Sequence, residues 1–558
     1  MSIRRGLILL LTLSFIVGSG QVTAHADSGA ERTFARDTWV ADETTIVFGE
    51  PMNNVFPGMM FAEKKDVGYI DRKLCGNTPI NECAGDGYFF DYRAIFPPCA
   101  NEFSINCIDG VWAIDESGQK IEGSLRETFD APNRFPGDVA KGIPANGGSS
   151  LWNIPKANGA GSDVFAVVVG ESGRLWSMEE PKAFVSDSFA SIQPVEILPR
   201  DPNEGRAAFY DAPYPDGIGA NTGFDGEGAM RCEIMELTRC AARESFIGQS
   251  RYGIRIRFQN APLEWFRGRL AAPEVSLTKS PTGQNIIELV AAPMTVPYVS
   301  ATAKWGQLSA ETQALYGKPI EQIRRDHGTS LTSPGASGEK AFSFFKGWLP
   351  LMNDQAAAMK TYWSLHSLNL TGDAAQQQMR TCSQGKSFAG IVTSNAAIYS
   401  DGAPVLNPVS DSLEYKVAAP HFTSSGDVFS GTYDLKIKSD VARCIYGFSK
   451  APIKASIEVT SETGTARVAT TTVSESDGFM NMHASGFTYS SPTIKVKITQ
   501  EKVLTVAVPA PVAPAPVVAP APILQKPVLK SITCSNGKTK KVVKATSPKC
   551  PAGYKKVA

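Results

Sequence analysis

The residues whose type and spacing most directly suggest chemistry are ten cysteines, all beyond position 74 of the 558-residue chain. Six fall into three pairs of one form, C-x7-C: Cys75/Cys83 in CGNTPINEC, Cys99/Cys107 in CANEFSINC and Cys232/Cys240 in CEIMELTRC. Cys382, Cys444, Cys534 and Cys550 stand apart. A zinc site needs thiolates two to four residues apart or histidine partners, and no histidine lies between His25 and His327. Redox chemistry favours C-x-x-C, which does not occur. An even number of cysteines behind an export signal fits disulfides better. The spacing leaves the connectivity of the first four open; 75–83 with 99–107 is the expected pattern. A nine-residue closed loop contributes about 2.6 kcal/mol in the chain-entropy model and a loop of about sixty residues about 4.3 kcal/mol. The short pairs therefore read as local loop clamps, and 382–444 as a tie between distant strands.

Other chemistry-bearing residues form no pattern of comparable strength. The histidines beyond the leader are His327, His366, His421 and His483, without an H-x-H or HExxH arrangement. GESGR (170–174) has the wrong order for a nucleophile elbow. His327 is expected at a helix C-terminus, where a cation is favoured. DGIGANTGFDGEGA (216–229) gathers Asp216, Asn221, Asp225 and Glu227. Such oxygens can ligate calcium, but the spacing is not an EF-hand and a surface loop is the preferred reading. No metal site, catalytic residue or cofactor is assigned. Of the tryptophans at 39, 112, 152, 176, 265, 305, 348 and 363, most are expected in the core. An exposed one would offer a stacking face for a sugar ring.

The elements that must position these residues read as mainly β, in several antiparallel sandwich-like domains with a small helical insertion. Arg4 and Arg5, the apolar run GLILLLTLSFIVGSG and Ala24-His25-Ala26 form an export signal over 1–26, with Asp27 starting the mature chain. No later stretch is apolar enough to span a bilayer. A disulfide-clamped β domain is expected over 27–145, closing at KGIPANGGSS (141–150). It contains a strand, a turn at Glu116-Ser117-Gly118 and a second strand. A second β-rich domain follows over 146–300. VFAVVV (164–169) reads there as a buried strand, and YGIRIRF alternates Ile254, Ile256 and Phe258 with Arg255 and Arg257. NIIELVAAPMTV (285–296) is another strand. Residues 301–375 are expected as a helical connector, with one helix from Pro319 to Gly328 and another capped by Asn353 over DQAAAMKTYWSL. An immunoglobulin-like sandwich is expected over 376–502. Its two-residue period shows in Tyr433, Leu435 and Ile437, in Ile453, Ala455, Ile457 and Val459, and in Ile494, Val496 and Ile498. The linker, 503–526, contains VPAPVAPAPVVAPAP, a polyproline II spacer of about 45 Å. A basic, cysteine-containing module occupies 527–558.

Charge singles out that module. The formal net charge is zero, but two arginines leave with the leader and nine lysines lie beyond residue 525, so residues 27–525 carry −11. The module's ITCSNGKTKKV, Lys549-Cys550-Pro551 and Gly553-Tyr554-Lys555-Lys556 resemble a short C-terminal module, ITC-x-x-GK-x-x-KKV…PKCP-x-GYKK, of uncharacterised exported actinobacterial proteins. The resemblance implies export and origin; it brings no activity. A cluster of Lys538, Lys540, Lys541, Lys544, Lys549, Lys555 and Lys556 beyond a stiff spacer suits an anionic cell-envelope polymer through a salt-sensitive field. Nucleic acid is not expected, since the body is acidic and the tail lacks interleaved aromatics. The expectation is a secreted, extracellular or cell-wall-associated binding protein without catalysis, its body taking an unidentified protein or glycan. The alternative is an exported hydrolase acting on polysaccharide or peptide.

Overall fold

The structure is a computed structural model; it describes residues 43–48, 58–64, 72–76, 78–83, 87–129, 134–199, 232–236, 238–259, 264–319, 331–332, 334–368, 370, 376–448, 453–460, 470–489, 493–500 and 528–557. The expected export signal and the Pro/Ala-rich linker lie outside these residues, as do the Pro319–Gly328 helix beyond its first residue and the 216–229 loop. The chain divides into two compact units, Met1–Glu501 and Lys502–Ala558.

The first unit is mainly β and mostly antiparallel. Nine strands lie side by side in the order Tyr88–Ile95, Val164–Leu175, Phe184–Pro199, Ser364–Leu368, Trp265–Lys279, Gly390–Ser394, Ser430–Lys438, Phe479–Thr488 and Thr470–Ser476. One pair in this run is parallel, Trp265–Gly268 with Gly390–Thr393. Two further layers cover it. Cys107–Ile114, Arg251–Phe258, Asn285–Lys304 and the far half of Trp265–Lys279 form a sheet over its first part. Phe165, Val167, Ala190, Tyr252, Ile254 and Phe266 fill the space between. A five-stranded sheet built on Ser412–Ala418, Thr493–Gln500 and Ile453–Thr460 covers the opposite face of the other end, over Leu435, Ile437, Met480 and Met482.

Sequence periodicity explains which strand goes where. Val164–Val169 is apolar throughout because it is buried on both faces: Phe165, Val167 and Val169 enter one core, Ala166 and Val168 another. Tyr433, Leu435 and Ile437 are buried, while Asp434 and Lys436 alternate with them on the opposite face. The strand–turn–strand expected at 107–122 is present, with Trp112, Ala113 and Ile114 paired to Glu122, Ile121 and Lys120. In the same sheet Gly253 lies directly opposite Trp112, and a Cβ on it would stand 2.3 Å from Trp112 Cε2. The glycine lets the indole lie flat across the strand. Gly253→Ala is therefore expected to cost about 2 kcal/mol through a forced shift of a buried ring, measured as a lower urea midpoint with an unchanged slope.

Strand pairing crosses the expected divisions at 145, 300 and 375. Phe90–Ile95 pairs with Gly170–Leu175, Ser364–Leu368 with the strand beginning at Trp265, and that strand again with Gly390–Thr393. The glycine-rich 141–150 segment is packed, not a spacer. Ile143 and Asn146 are buried, Asn146 Oδ1 accepts from the Ile95 amide at 3.1 Å, and the Gly147 amide donates to the Ile95 carbonyl. Gly147 serves close approach to Pro97, whose Cβ a side chain at that position would meet at 2.5 Å. The strands of 376–502 do form two packed layers, but one layer is continuous with the long sheet.

The helix expected from Asn353 is overturned. Ala358–Tyr362 and Ser364–Leu368 are strands, and Asn353 takes a left-handed conformation (φ +53°) at a chain reversal. Pairing of Tyr362 to Met294 and burial of Trp363, whose Nε1 donates to the Ala291 carbonyl, outweigh the helix preference of the alanines. Helices do occupy the connector at Ala310–Ala314, where the Ser309 side chain accepts from the Thr312 amide, and at Gly338–Trp348.

All ten cysteines are paired, as Cys75–Cys83, Cys99–Cys107, Cys232–Cys240, Cys382–Cys444 and Cys534–Cys550, with Cα separations of 5.0–5.7 Å. The three C-x7-C bridges are local, but two of them hold more than the loop expected of them. Cys83 ends a single helical turn, Ile80–Cys83, and its bridge draws that turn back to Cys75. Pro79 starts the turn, its carbonyl accepting from the Glu82 and Cys83 amides. Cys240 lies within the strand Arg239–Arg243, and Cys232 opens its hairpin partner, Cys232–Met235. Cys232 stands opposite Ala242, two residues from Cys240 on the same face, so this bridge crosses the hairpin diagonally. Cys382–Cys444, expected between strands, instead joins the helices Gln377–Ser383 and Ser439–Tyr446. Among the described residues no helix is long and apolar enough to cross a membrane.

Candidate functional site

The C-terminal unit is a three-stranded antiparallel sheet in the order Lys540–Ala545, Lys530–Ser535, Lys555–Val557. Its first turn follows from SNGK. Asn536 Oδ1 accepts from the Lys538 and Thr539 amides at 3.0 and 2.8 Å, and Gly537 takes φ +88°. The Cys534–Cys550 bridge and a 2.7 Å bond between Thr539 Oγ1 and the Tyr554 hydroxyl fold the 546–554 loop back on the sheet.

Register distributes the lysines between two faces. Cys534, Lys541 and Lys556 share one row; Ser535, Lys540 and Lys555 share the next. Side chains alternate along strands, so Lys541 and Lys556 flank the buried Cys534, and the Lys541 ammonium stands 5.2 Å from the centre of the Tyr554 ring. The opposite face carries Lys540, Lys544 and Lys555, with Val542 and Val557 exposed between them. Lys540 and Lys555 sit on either side of Ser535, about 10 Å apart by strand spacing, and Lys544 is about 13 Å along the same strand from Lys540. Lys538 belongs to the turn and Lys549 to the loop beside Cys550. Residues 528–557 contain no acid, so no charge within them offsets the lysines. Composition identifies the seven lysines; only register separates three on an open face from two beside the disulfide.

The other sequence candidates are not brought together. Cys75, Cys83, Cys99, Cys107, Cys232, Cys240, Cys382 and Cys444 are all held in the bridges described above, so among the described residues no thiol is free for chemistry. His366 is buried and stacked on Phe189. His421 bonds Asp354 at 2.5 Å. His483 Nδ1 bonds Asp434 Oδ1 at 2.7 Å, and that hydrogen bond holds the imidazole above its ordinary pKa. Four strand spacings, about 19 Å, separate the strands of His366 and His483. His327 and Trp39 lie outside the described residues. Among the described residues no group of three or more His, Cys, Asp or Glu side chains could hold a metal ion. Trp112, Trp152, Trp265, Trp348 and Trp363 are buried and Trp305 is half-buried. Trp176 is exposed beside Phe89, and the Arg174 guanidinium lies 4.7 and 4.5 Å from their rings. Asp91 fixes that guanidinium through bonds of 2.5 and 2.8 Å.

Sequence reasoning missed a pocket in the body that two arginines wall. Arg267, Gly268, Arg269, Ser364, His366, Val392, Ser394, Tyr399 and Tyr415 line a small pocket between the long sheet and the five-stranded sheet, with about 270 Å³ of atom-free space that includes open solvent. The signal was the alternation of Arg267 and Arg269 about a glycine on a strand otherwise apolar at its start. No family model matches this chain, and neither does any curated protein.

Proposed function

We propose that this is an exported, non-catalytic binding protein held at the cell envelope by its C-terminal module. The observation that carries the reading is the open face of the small sheet, where Lys540, Lys544 and Lys555 stand on a disulfide-closed scaffold whose own residues 528–557 include no acid. A rigid array of cations pays less conformational entropy on meeting a polyanion than a loose tail does. Its spacing, near the Debye length of about 8 Å at physiological salt, lets each lysine take its own phosphate or carboxylate. An anionic wall polymer supplies such groups in series. The leader, the five disulfides and the acidic body all suit export; the body, kept off the polyanion by its own charge, remains to meet a protein or glycan.

The test is retention on actinobacterial cells of the full chain, of a chain ending at residue 527, and of the triple variants Lys540→Ser/Lys544→Ser/Lys555→Ser and Lys538→Ser/Lys541→Ser/Lys556→Ser. The full chain is expected to bind at low salt and to wash off as salt rises, the truncated chain to be lost, and the open-face triple to lose far more binding than the other, at equal change of charge. Equal retention of the truncated and full chains at low salt would refute the attachment.

A further inference from the structure

We propose that the cavity walled by Arg267 and Arg269 is a binding site for a small oxyanion, either a free ion or the carboxylate or phosphate end of a larger molecule. Arg267 and Arg269 are two apart on the strand beginning at Trp265, so their side chains leave the same face of the long sheet. Both guanidinium groups lie against one ring: their Cζ atoms are 5.0 and 4.5 Å from the centre of Tyr399. Arg269 is fixed further by a 2.5 Å bond from Nη1 to the Ser394 carbonyl. Around them stand the hydroxyls of Ser364 and Ser394, the imidazole of His366 and the phenol of Tyr415, all in buried residues. Arg267 is half-buried and is the more exposed of the two arginines.

The chemistry of this wall selects for negative charge. Two guanidinium groups on one ring repel each other, and an anion between them converts that repulsion into attraction on both sides. Their planar forks match the oxygens of a carboxylate or phosphate. Serine hydroxyls and the His366 imidazole can complete the hydrogen bonding. Tyr415 takes no negative charge near neutral pH, because burial pushes its phenol well above the usual range; its hydroxyl donates to the Ser400 carbonyl. No acidic side chain is among the lining residues. Asp434 projects from the other face of the sheet, where it accepts from His483 and Thr393. Asp401 is the acid whose charge reaches Tyr415.

Calorimetry and thermal unfolding of the full chain with sodium phosphate and with sodium acetate, against sodium chloride at equal ionic strength, test the site. The expected result is saturable binding of at least one oxyanion that raises the melting temperature beyond chloride. Arg267→Gln should weaken that binding at least tenfold and Asp401→Asn should tighten it. Phosphate above acetate assigns a tetrahedral group, the reverse a carboxylate. Arg269→Gln also removes the bond to Ser394, so the half-buried Arg267 is the deciding position. The proposal fails if chloride matches both oxyanions, or if Arg267→Gln binds as the unaltered chain does. Neither outcome touches attachment through the C-terminal module, which cell retention reads separately.

Discussion

Replacing Cys382 and Cys444 together by serine is expected to lower the stability of the first unit by about 4 kcal/mol, the largest effect of any bridge in the chain. The two cysteines are 62 residues apart, and loop-closure entropy in the unfolded chain grows with that length. The bridged helices are otherwise well held. Met379 on one and Val441, Ala442 and Ile445 on the other are buried in the shared core, and the Gln378 side chain donates to the Ile445 carbonyl. Losing the bridge should therefore leave the native packing in place and act through the unfolded state. Non-reducing urea unfolding of the double variant beside Cys75→Ser/Cys83→Ser checks this. The nine-residue clamp should cost about 2.6 kcal/mol, and a greater cost there than for the long bridge would contradict the entropic account.

A second large effect is expected from Glu171, a buried carboxyl on the second strand of the long sheet. It is 5% exposed, and Tyr92 donates a hydroxyl hydrogen bond to it at 3.1 Å. Burial raises its pKa from the usual carboxylate range to about 7, with the Tyr92 bond acting in the opposite direction. Between about pH 4.5 and 7 the folded state therefore holds a proton that the unfolded state has released. A raised carboxyl pKa means that stability falls as pH rises through this window. A shift from 4.5 to about 7 corresponds to about 3 kcal/mol. Glu171→Gln, isosteric and permanently neutral, should match the unaltered chain near pH 4.5 and exceed it by about 3 kcal/mol at pH 8. Urea midpoints at the two pH values measure the difference; parallel pH profiles would show that Glu171 titrates as an ordinary surface carboxyl.

Local rules were readable where one strand or one loop decides the outcome. The C-x7-C pairings, the doubly buried 164–169 strand and the alternation at 433–437 each carry their explanation within ten residues. Contacts made over distance left no such mark. The parallel pairing of Trp265–Gly268 with Gly390–Thr393 bridges more than 120 positions, and nothing local to either segment specifies a parallel partner. The segment at 354–365 has helix-forming alanines, yet a strand waiting at Met294–Tyr298 decides its fate. Arginine shows the limit most clearly. Arg255 and Arg257 alternate with apolar residues and pair with Glu288 and Asp109 across the outer face of a sheet. Arg267 and Arg269 repeat the same spacing ten residues later and face a second sheet. Identical periodicity describes both pairs; the covering layer, supplied from beyond residue 395, makes one a surface ladder and the other a cavity wall.

The small C-terminal sheet has two free edges, Lys540–Ala545 and Lys555–Val557, and each carries lysine. Unpaired edge strands invite copies of a protein to zip together, and a lysine on the edge is the usual deterrent. Were the proposed attachment to crowd an envelope with this chain, neighbouring modules would repel edge to edge while each is drawn to the polymer beneath. The array would settle as a spaced lawn instead of a clot, with its density set by how much negative charge the wall exposes and by the salt around it.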